Sequence, residues 1–265
     1  PDFNPLIVHV PSLAVAERLA AFDDRARALA AAFWPGPLTV IVPRREGVAA
    51  DAAGGQASIG LRCPSHPVAQ ALLAAAGRLG VPGIAAPSAN RFGHVSPTTA
   101  DAVREELDQY LSPGDTILDG GPSQVGVEST IIDCTSGAPR ILRPGAITAV
   151  MINQLLDISI ETVTDTSSNE IKASGLLESH YAPSAKVFLT GTPKPGDGFI
   201  ALSNIKTPQG VIRLAEPKNN VEYAKVLYQA LRSADAQQIK TVHAHLPTGD
   251  DIAQAIIDRL NKSAR

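Results

Sequence analysis

The sequence predicts an α/β protein in two parts. Short apolar runs bounded by Pro, Gly or Asn alternate with Ala/Leu-rich stretches at helical spacing along most of the 265 residues, the pattern of strands and helices packed in layers. The length suits one large domain or two ordinary ones, with core enough to need no metal or disulfide staple. Charge usage then changes abruptly. The first 150 residues hold 11 Arg, 14 acidic residues and no Lys, whereas the last 115 hold 8 Lys, 4 Arg and 12 acidic residues. So sharp a shift marks a boundary near 150–185.

Taken in order, Leu6 to Val10 reads as a strand behind Asn4-Pro5. Residues 13–33 read as one helix, stopped by Trp34-Pro35-Gly36-Pro37. Leu38 to Val42 and Ala57 to Arg62 are strands, Pro67 opens a helix to about Leu79, and Gly83 to Ala86 is a short strand. Ser96-Pro97-Thr98 is a hydroxyl-capped helix start with Pro in its first turn, the helix running to about Leu111. Thr116 to Leu118 and Ser129 to Asp133 are strand-like, and Thr148 caps a helix through Leu156. Residues 157–185 lack sustained periodicity and read as a linker. Beyond it, strands at Lys186–Leu189, Phe199–Leu202 and Val211–Leu214 precede a helix at 221–233, a strand at 239–243 and a helix at 250–262.

Composition excludes several classes of function. No apolar run approaches the length of a membrane span, and the start shows no basic region followed by an apolar one. Cys63 and Cys134 make neither a disulfide framework nor a metal-ligand spacing, which points to a reducing cytoplasm. With a net charge of −3 and no basic stripe, strong direct nucleic-acid binding is not expected. The only Met is Met151 and residue 1 is Pro, so further sequence is expected ahead of Pro1.

Familiar nucleotide motifs are missing. No P-loop or G-x-G-x-x-G pattern occurs, and no Lys precedes residue 172. Ser203-Asn204-Ile205-Lys206 has the S-x-x-K form without its partner motifs. His243 and His245 alternate on one strand and read as a surface pair rather than metal ligands. More informative are four loops of small hydroxyl residues, Gly and Pro behind apolar strands: Pro87-Ser88-Ala89-Asn90, Gly93 to Thr98, Gly126 to Thr130 and Arg143-Pro144-Gly145. Each alone is ordinary turn chemistry. Together with Arg62 and Arg143, whose planar forks suit carboxylate or phosphate, they predict an anion site.

Asn4-Pro5-Leu6-Ile7-Val8-His9, Phe33 to Thr39, Arg62-x-Pro-x-His66-Pro67, Ala85 to Asn90, Ser96-Pro97-Thr98, Gly126 to Thr130 and Leu142 to Gly145 occur in an order that resembles the YrdC-type domain of threonylcarbamoyl-AMP synthases. His180-Tyr181-Ala182-Pro183 resembles the linker of that family's long form, and Gly249 to Leu260 the end of its C-terminal domain. The resemblance implies a YrdC-like twisted mixed-sheet domain (1–157), a linker or lid (158–185) and a smaller Rossmann-like α/β domain (186–265). It implies a nucleotidyltransferase that joins L-threonine, bicarbonate or CO2 and ATP, with Mg2+ accompanying the ATP, into threonylcarbamoyl-adenylate. Pyrophosphate is released, and a separate transferase complex uses the product to modify tRNA beside the anticodon.

Carried over by motif position, His9, Arg62, Ala86 and Ser129 line the threonine pocket, with Arg62 facing the carboxylate. Asn4, Ser58, Ser88, Asn90, Ser96, Arg143 and, from the linker, Tyr181 contact ATP. No general base stands out, and no metal ligand is assigned. The resemblance also implies a Lys-x-Arg pair directly before Pro1 and a threonine-contacting residue farther upstream. Neither is among these residues, so the chain by itself is expected to synthesise poorly. A non-catalytic threonine- and nucleotide-binding or regulatory protein is the alternative this raises. An RNA-binding module and a carbamoyl-transfer enzyme are further ones. In the linker, Ala173-Ser174-Gly175-Leu176 replaces the family's Ser-Pro-Gly-Met, and the lost Pro is expected to loosen the lid.

Overall fold

A computed structural model describes residues 5–163, 173–174 and 181–264. They form two compact units that interleave along the chain. One takes the described residues of Pro1–Pro87 and Glu128–Leu177, the other those of Ser88–Val127 and Glu178–Arg265.

The first unit is built on seven strands: β1 (Ile7–His9), β2 (Leu38–Pro43), β3 (Ser58–Arg62), β4 (Ile84–Ala86), β5 (Thr130–Asp133), β6 (Arg140–Arg143) and β7 (Glu161–Thr162). Their order is β4-β1-β3-β2-β5-β6-β7, a mixed sheet in which β1 runs parallel to β3 and β2 parallel to β5. Alternation along the strands gives its two faces different chemistry. Val8, Val40, Val42, Ile59, Leu61 and Ile132 share one core with Leu29 of α2 (Asp24–Phe33) and Ile152 of α5 (Ala149–Leu156). Each such side chain, fully buried, contributes roughly 1.5–3 kcal/mol. The intervening residues face the other way. Register pairs Ile7 with Gly60, His9 with Arg62, Thr39 with Ile131, and Ile131 with Arg143. That second face carries the polar residues.

Two sequence expectations fail in this unit. Residues 13–33 form α1 (Leu13–Leu19) and α2, not one helix. Ala20 is extended and bridges to Arg44, and the Asp23 side chain caps α2 by accepting from the Ala26 N–H at 2.8 Å. A local cap therefore outweighs continuous helical propensity. The presumed linker also contributes β7, which adds to β6 in parallel. By contrast α3 (Pro67–Arg78) starts at its proline, and Thr148 caps α5, as expected.

The second unit holds a four-stranded parallel sheet, β10-β9-β11-β8, made of β8 (Lys186–Phe188), β9 (Gly198–Ile200), β10 (Ile212–Ala215) and β11 (Thr241–Ala244). Helices α6 (Asn220–Ala236) and α7 (Ala253–Ser263) bury Leu227, Leu231, Ile256 and Leu260. The segment 88–127 brings α4 (Ala100–Leu107) against α6, where buried Glu106 accepts from Arg91 at 3.0 Å and Arg232 at 2.9 Å. Burial pushes the Glu106 carboxyl up, yet the two arginines outweigh it and hold the group below the ordinary carboxylate range. Gly126 is indispensable here, since a Cβ on it would meet Lys225 Cα at 2.3 Å.

Three further corrections belong to this unit. Thr99, not Ser96, caps α4, accepting from the Ala102 N–H at 3.2 Å, so the helix begins at Ala100. Residues 116–118 are not a strand. His243 is half-buried rather than a surface residue, stacked on Phe188 at 5.4 Å and 3.5 Å from Asp197. Among the described residues no helix is long and apolar enough to cross a membrane.

Candidate active site

The polar face of the seven-stranded sheet collects every site residue predicted for the first unit that lies among the described ones. Asn4 lies outside them. Adjacent parallel strands set His9 beside Arg62, and β4 sets Ala86 opposite Ile7. Ser58 starts β3, Ser129 directly precedes β5 and Arg143 ends β6. Pro144-Gly145 passes so close to β5 that a Cβ on Gly145 would lie 2.4 Å from the Thr130 N atom. That close approach keeps Arg143 against Ser129.

Arg143 is 3% exposed and binds inward through its whole fork. Nε and Nη2 donate to the Ser129 carbonyl at 3.1 and 3.0 Å, Nη2 also to Ser129 Oγ at 3.1 Å, and Nη1 to the Ser174 carbonyl at 2.9 Å. Ser174 Oγ in turn donates to the Pro5 carbonyl at 2.7 Å. Arg62 is used differently. Its Nε donates to the Gly36 carbonyl at 3.1 Å, and its terminal nitrogens have no acceptor among the described residues. Burial, and then repulsion from the Arg143 guanidinium, pull the Arg62 pKa down to about 10. Among the described residues neither arginine has a carboxylate partner. Two partly desolvated cations that repel each other, one with its terminal nitrogens unspent, favour the binding of an anion.

His9 stays neutral beside them. Burial, and then the Arg62 charge, lower its pKa to about 4, against weak opposing pulls from the Ile84 and Ile7 carbonyls. Its buried Nδ1 has no partner at hydrogen-bonding geometry among the described residues. The lowered value has a sign that can be measured. The stabilisation from a neutral His9 is complete above the unfolded pKa near 6.5 and is lost as pH falls toward about 4. The span amounts to roughly 3 kcal/mol. Urea midpoints of the wild type are expected to drop more steeply from pH 6.5 to 4.5 than those of His9→Gln; parallel curves would show that His9 does not titrate this way.

An open cavity of about 290 Å3, its solvent-open mouth included, lies on the same face, with Ile7, Ile41 and Ile131 apolar and Thr39, Ser58 and Ser174 polar. Thr39, Gly60 and Ser174 are the residues sequence reasoning overlooked. For Thr39 and Gly60 the signal was present: they share strand parity with Ile41 and Arg62.

The other predicted contacts belong to the second unit. Ser88 is exposed, its carbonyl accepting from the Asn90 N–H at 2.9 Å. Asn90 Nδ2 closes the loop on the Arg91 and His94 carbonyls at 2.8 and 3.0 Å, and its Oδ1 is buried with no partner among the described residues. Ser96 is buried. Tyr181 is 1% exposed at φ 63°, stacked on Tyr228 at 5.6 Å with the Arg259 guanidinium 5.5 Å from its ring centre. Its carbonyl accepts from Ser263 Oγ at 3.0 Å. A left-handed tyrosine persists only where surrounding packing over-determines it. Among the described residues no group of three or more His, Cys, Asp or Glu side chains is placed to hold a metal ion.

Residues 1–145 match the family model Sua5_yciO_yrdC, described as "Telomere recombination", and residues 147–265 match the model "Threonylcarbamoyl-AMP synthase, C-terminal domain". The whole chain is 32% identical to a threonylcarbamoyl-AMP synthase of Bacillus subtilis (strain 168), covering 80% of that protein. It is 33% identical to one of Pyrococcus abyssi (strain GE5 / Orsay), covering 81%. The crystal structure of P. abyssi Sua5 complexed with L-threonine superposes with a TM-score of 0.86 at 31% identity, covering all of this chain and 81% of that one. With two family models in tandem, full-length relatives and a matching two-domain architecture, this chain belongs to the threonylcarbamoyl-AMP synthase family.

Proposed function

We propose that the protein synthesises L-threonylcarbamoyl-adenylate from L-threonine, bicarbonate or CO2 and ATP, releasing pyrophosphate. The observation that carries this reading is the pair of partly desolvated arginines without carboxylate partners, beside a neutral histidine and buried hydroxyls on one sheet face. In the proposal Arg62 grips the threonine carboxylate through its unused terminal nitrogens, with His9, Ala86 and Ser129 around the rest of the amino acid. A neutral His9 suits the threonine hydroxyl, because it can donate or accept. Support also comes from P. abyssi Sua5, whose crystal structure holds L-threonine. Asn4, Ser58, Ser88, Asn90, Ser96 and Arg143 would meet the nucleotide. By the resemblance, Tyr181 would act as the lid that keeps water from the adenylate.

The chemistry asks for placement and charge more than for a general base. The threonine amine attacks CO2 and loses a proton to give a carbamate. A carbamate oxygen then attacks the α-phosphorus of ATP as the bond to pyrophosphate breaks. Positioning and neutralisation of phosphate charge lower such a barrier. Magnesium would arrive as its ATP complex, with phosphate oxygens as ligands. The product would serve threonylcarbamoylation of tRNA by a separate transferase in the cytoplasm, a setting compatible with two free, buried cysteines.

Protein expressed from its complete reading frame, given MgATP, bicarbonate and L-threonine, is expected to release pyrophosphate and accumulate an acid-labile adenylate only when all three are present. Saturable binding of threonine and ATP without pyrophosphate release would instead establish a non-catalytic binding protein.

A further inference from the structure

Thr39 lies within β2, on a fully buried stretch of the central sheet, with its side chain on the polar face. Its hydroxyl is 0% exposed and 2.8 Å from Ser129 Oγ, a residue 90 positions away and itself 2% exposed. Ser129 Oγ also accepts from Arg143 Nη2 at 3.1 Å. A hydroxyl has one proton to give and two lone pairs to fill. Arg143 fills one lone pair of Ser129, and one of the two hydroxyl protons lies between Thr39 and Ser129. Whichever hydroxyl supplies it, the other proton meets no acceptor among the described residues. Buried donors are normally paired, so the remaining O–H is reserved for an acceptor that the protein does not itself provide.

From this we infer that Thr39 is a positioning residue of the substrate site. It locks the Ser129 hydroxyl between itself and Arg143, so that the three groups present one directed O–H to an oxygen of the bound amino acid. The inference rests on the proposed function in taking L-threonine as the ligand beside Ser129. Sequence logic explains why Thr serves here and Val does not. A valine fills nearly the same volume but sets a methyl where Ser129 Oγ now accepts or donates, and the oxygen must move away. Serine keeps the hydroxyl and loses only the methyl, which sits 3.5 Å from a Cβ built on Gly60.

The test is a double-mutant cycle between Thr39 and Ser129, read as KM for L-threonine and KM for ATP in pyrophosphate release. Thr39→Val is expected to raise the threonine KM about tenfold and leave the ATP KM within twofold. Thr39→Ser is expected to restore the threonine KM to within twofold of wild type. In a Ser129→Ala background, Thr39→Val should add less than twofold, because its effect passes through the missing hydroxyl. Thr39→Ala, which adds no crowding methyl, keeps the cycle usable if the valine variant folds poorly. Full additivity with Ser129→Ala, or equal rises in both KM values, would overturn the assignment of Thr39. If Ser129→Ala alone leaves the threonine KM unchanged, it is the threonine-pocket reading of Ser129 that fails.

Discussion

Replacing Arg62 with methionine is expected to raise the KM for L-threonine roughly 10- to 100-fold and to leave the thermal midpoint unchanged or higher. A carboxylate held by a guanidinium fork is worth about 1.5–3 kcal/mol net, and each 1.4 kcal/mol is a factor of ten. The stability side has the opposite sign because burial and the neighbouring guanidinium both disfavour the Arg62 charge. Burial and the nearby Arg143 already drag its pKa down to about 10, and among the described residues its one hydrogen bond runs from Nε to the Gly36 carbonyl. Methionine removes the repulsion and fills the stem's volume, at the expense of that one bond. Lysine would keep the charge without the fork, so Arg62→Lys should recover little of the lost binding. Steady-state kinetics beside differential scanning fluorimetry decide the matter. An unchanged threonine KM would remove Arg62 from the substrate site.

Arg143→Lys is expected to fail in both measurements at once. Nε, Nη1 and Nη2 together satisfy the Ser129 carbonyl, the Ser129 hydroxyl and the Ser174 carbonyl, and one ammonium cannot reach all three. The Ser129 carbonyl and hydroxyl left behind are buried, the Ser174 carbonyl is half-buried, and each unsatisfied buried polar group costs about 1–3 kcal/mol. A stability loss of roughly 2–4 kcal/mol by urea unfolding is therefore expected. With Ser129 unanchored, kcat/KM should fall on the order of 10²-fold or more. The contrast is diagnostic. Two arginines on one face, similar in sequence context, should separate into one that is strained and functional and one that is structural as well as functional. A lysine variant as stable as the wild type would show that the Arg143 fork does not anchor the loop.

Much of the fold was legible because it depends on local rules. Strands β2 and β5 announced themselves by β-branched runs, α3 by its N-terminal proline, and α5 by its Thr148 cap. Where local rules competed, the outcome was hidden. A helical pattern from 13 to 33 gave no warning that Asp23 would seize the Ala26 N–H and restart the helix. Nor did the low periodicity of 157–185 exclude a strand as short as β7, whose pairing depends on an available β6 edge.

At the site, the order of motifs and the residue types were readable along the chain, and parity along each strand divides core residues from polar-face residues without any coordinates. Composition and alternation thus determined that this is a layered α/β chain with arginines and hydroxyls gathered near strand ends. Tertiary structure alone decided that Arg62 keeps its fork unspent while Arg143 spends its own on Ser129 and Ser174, and that Thr39 meets Ser129 across 90 residues. Strand order and register set those encounters, and burial sets their energetics. Neither is a property of any short stretch of residues.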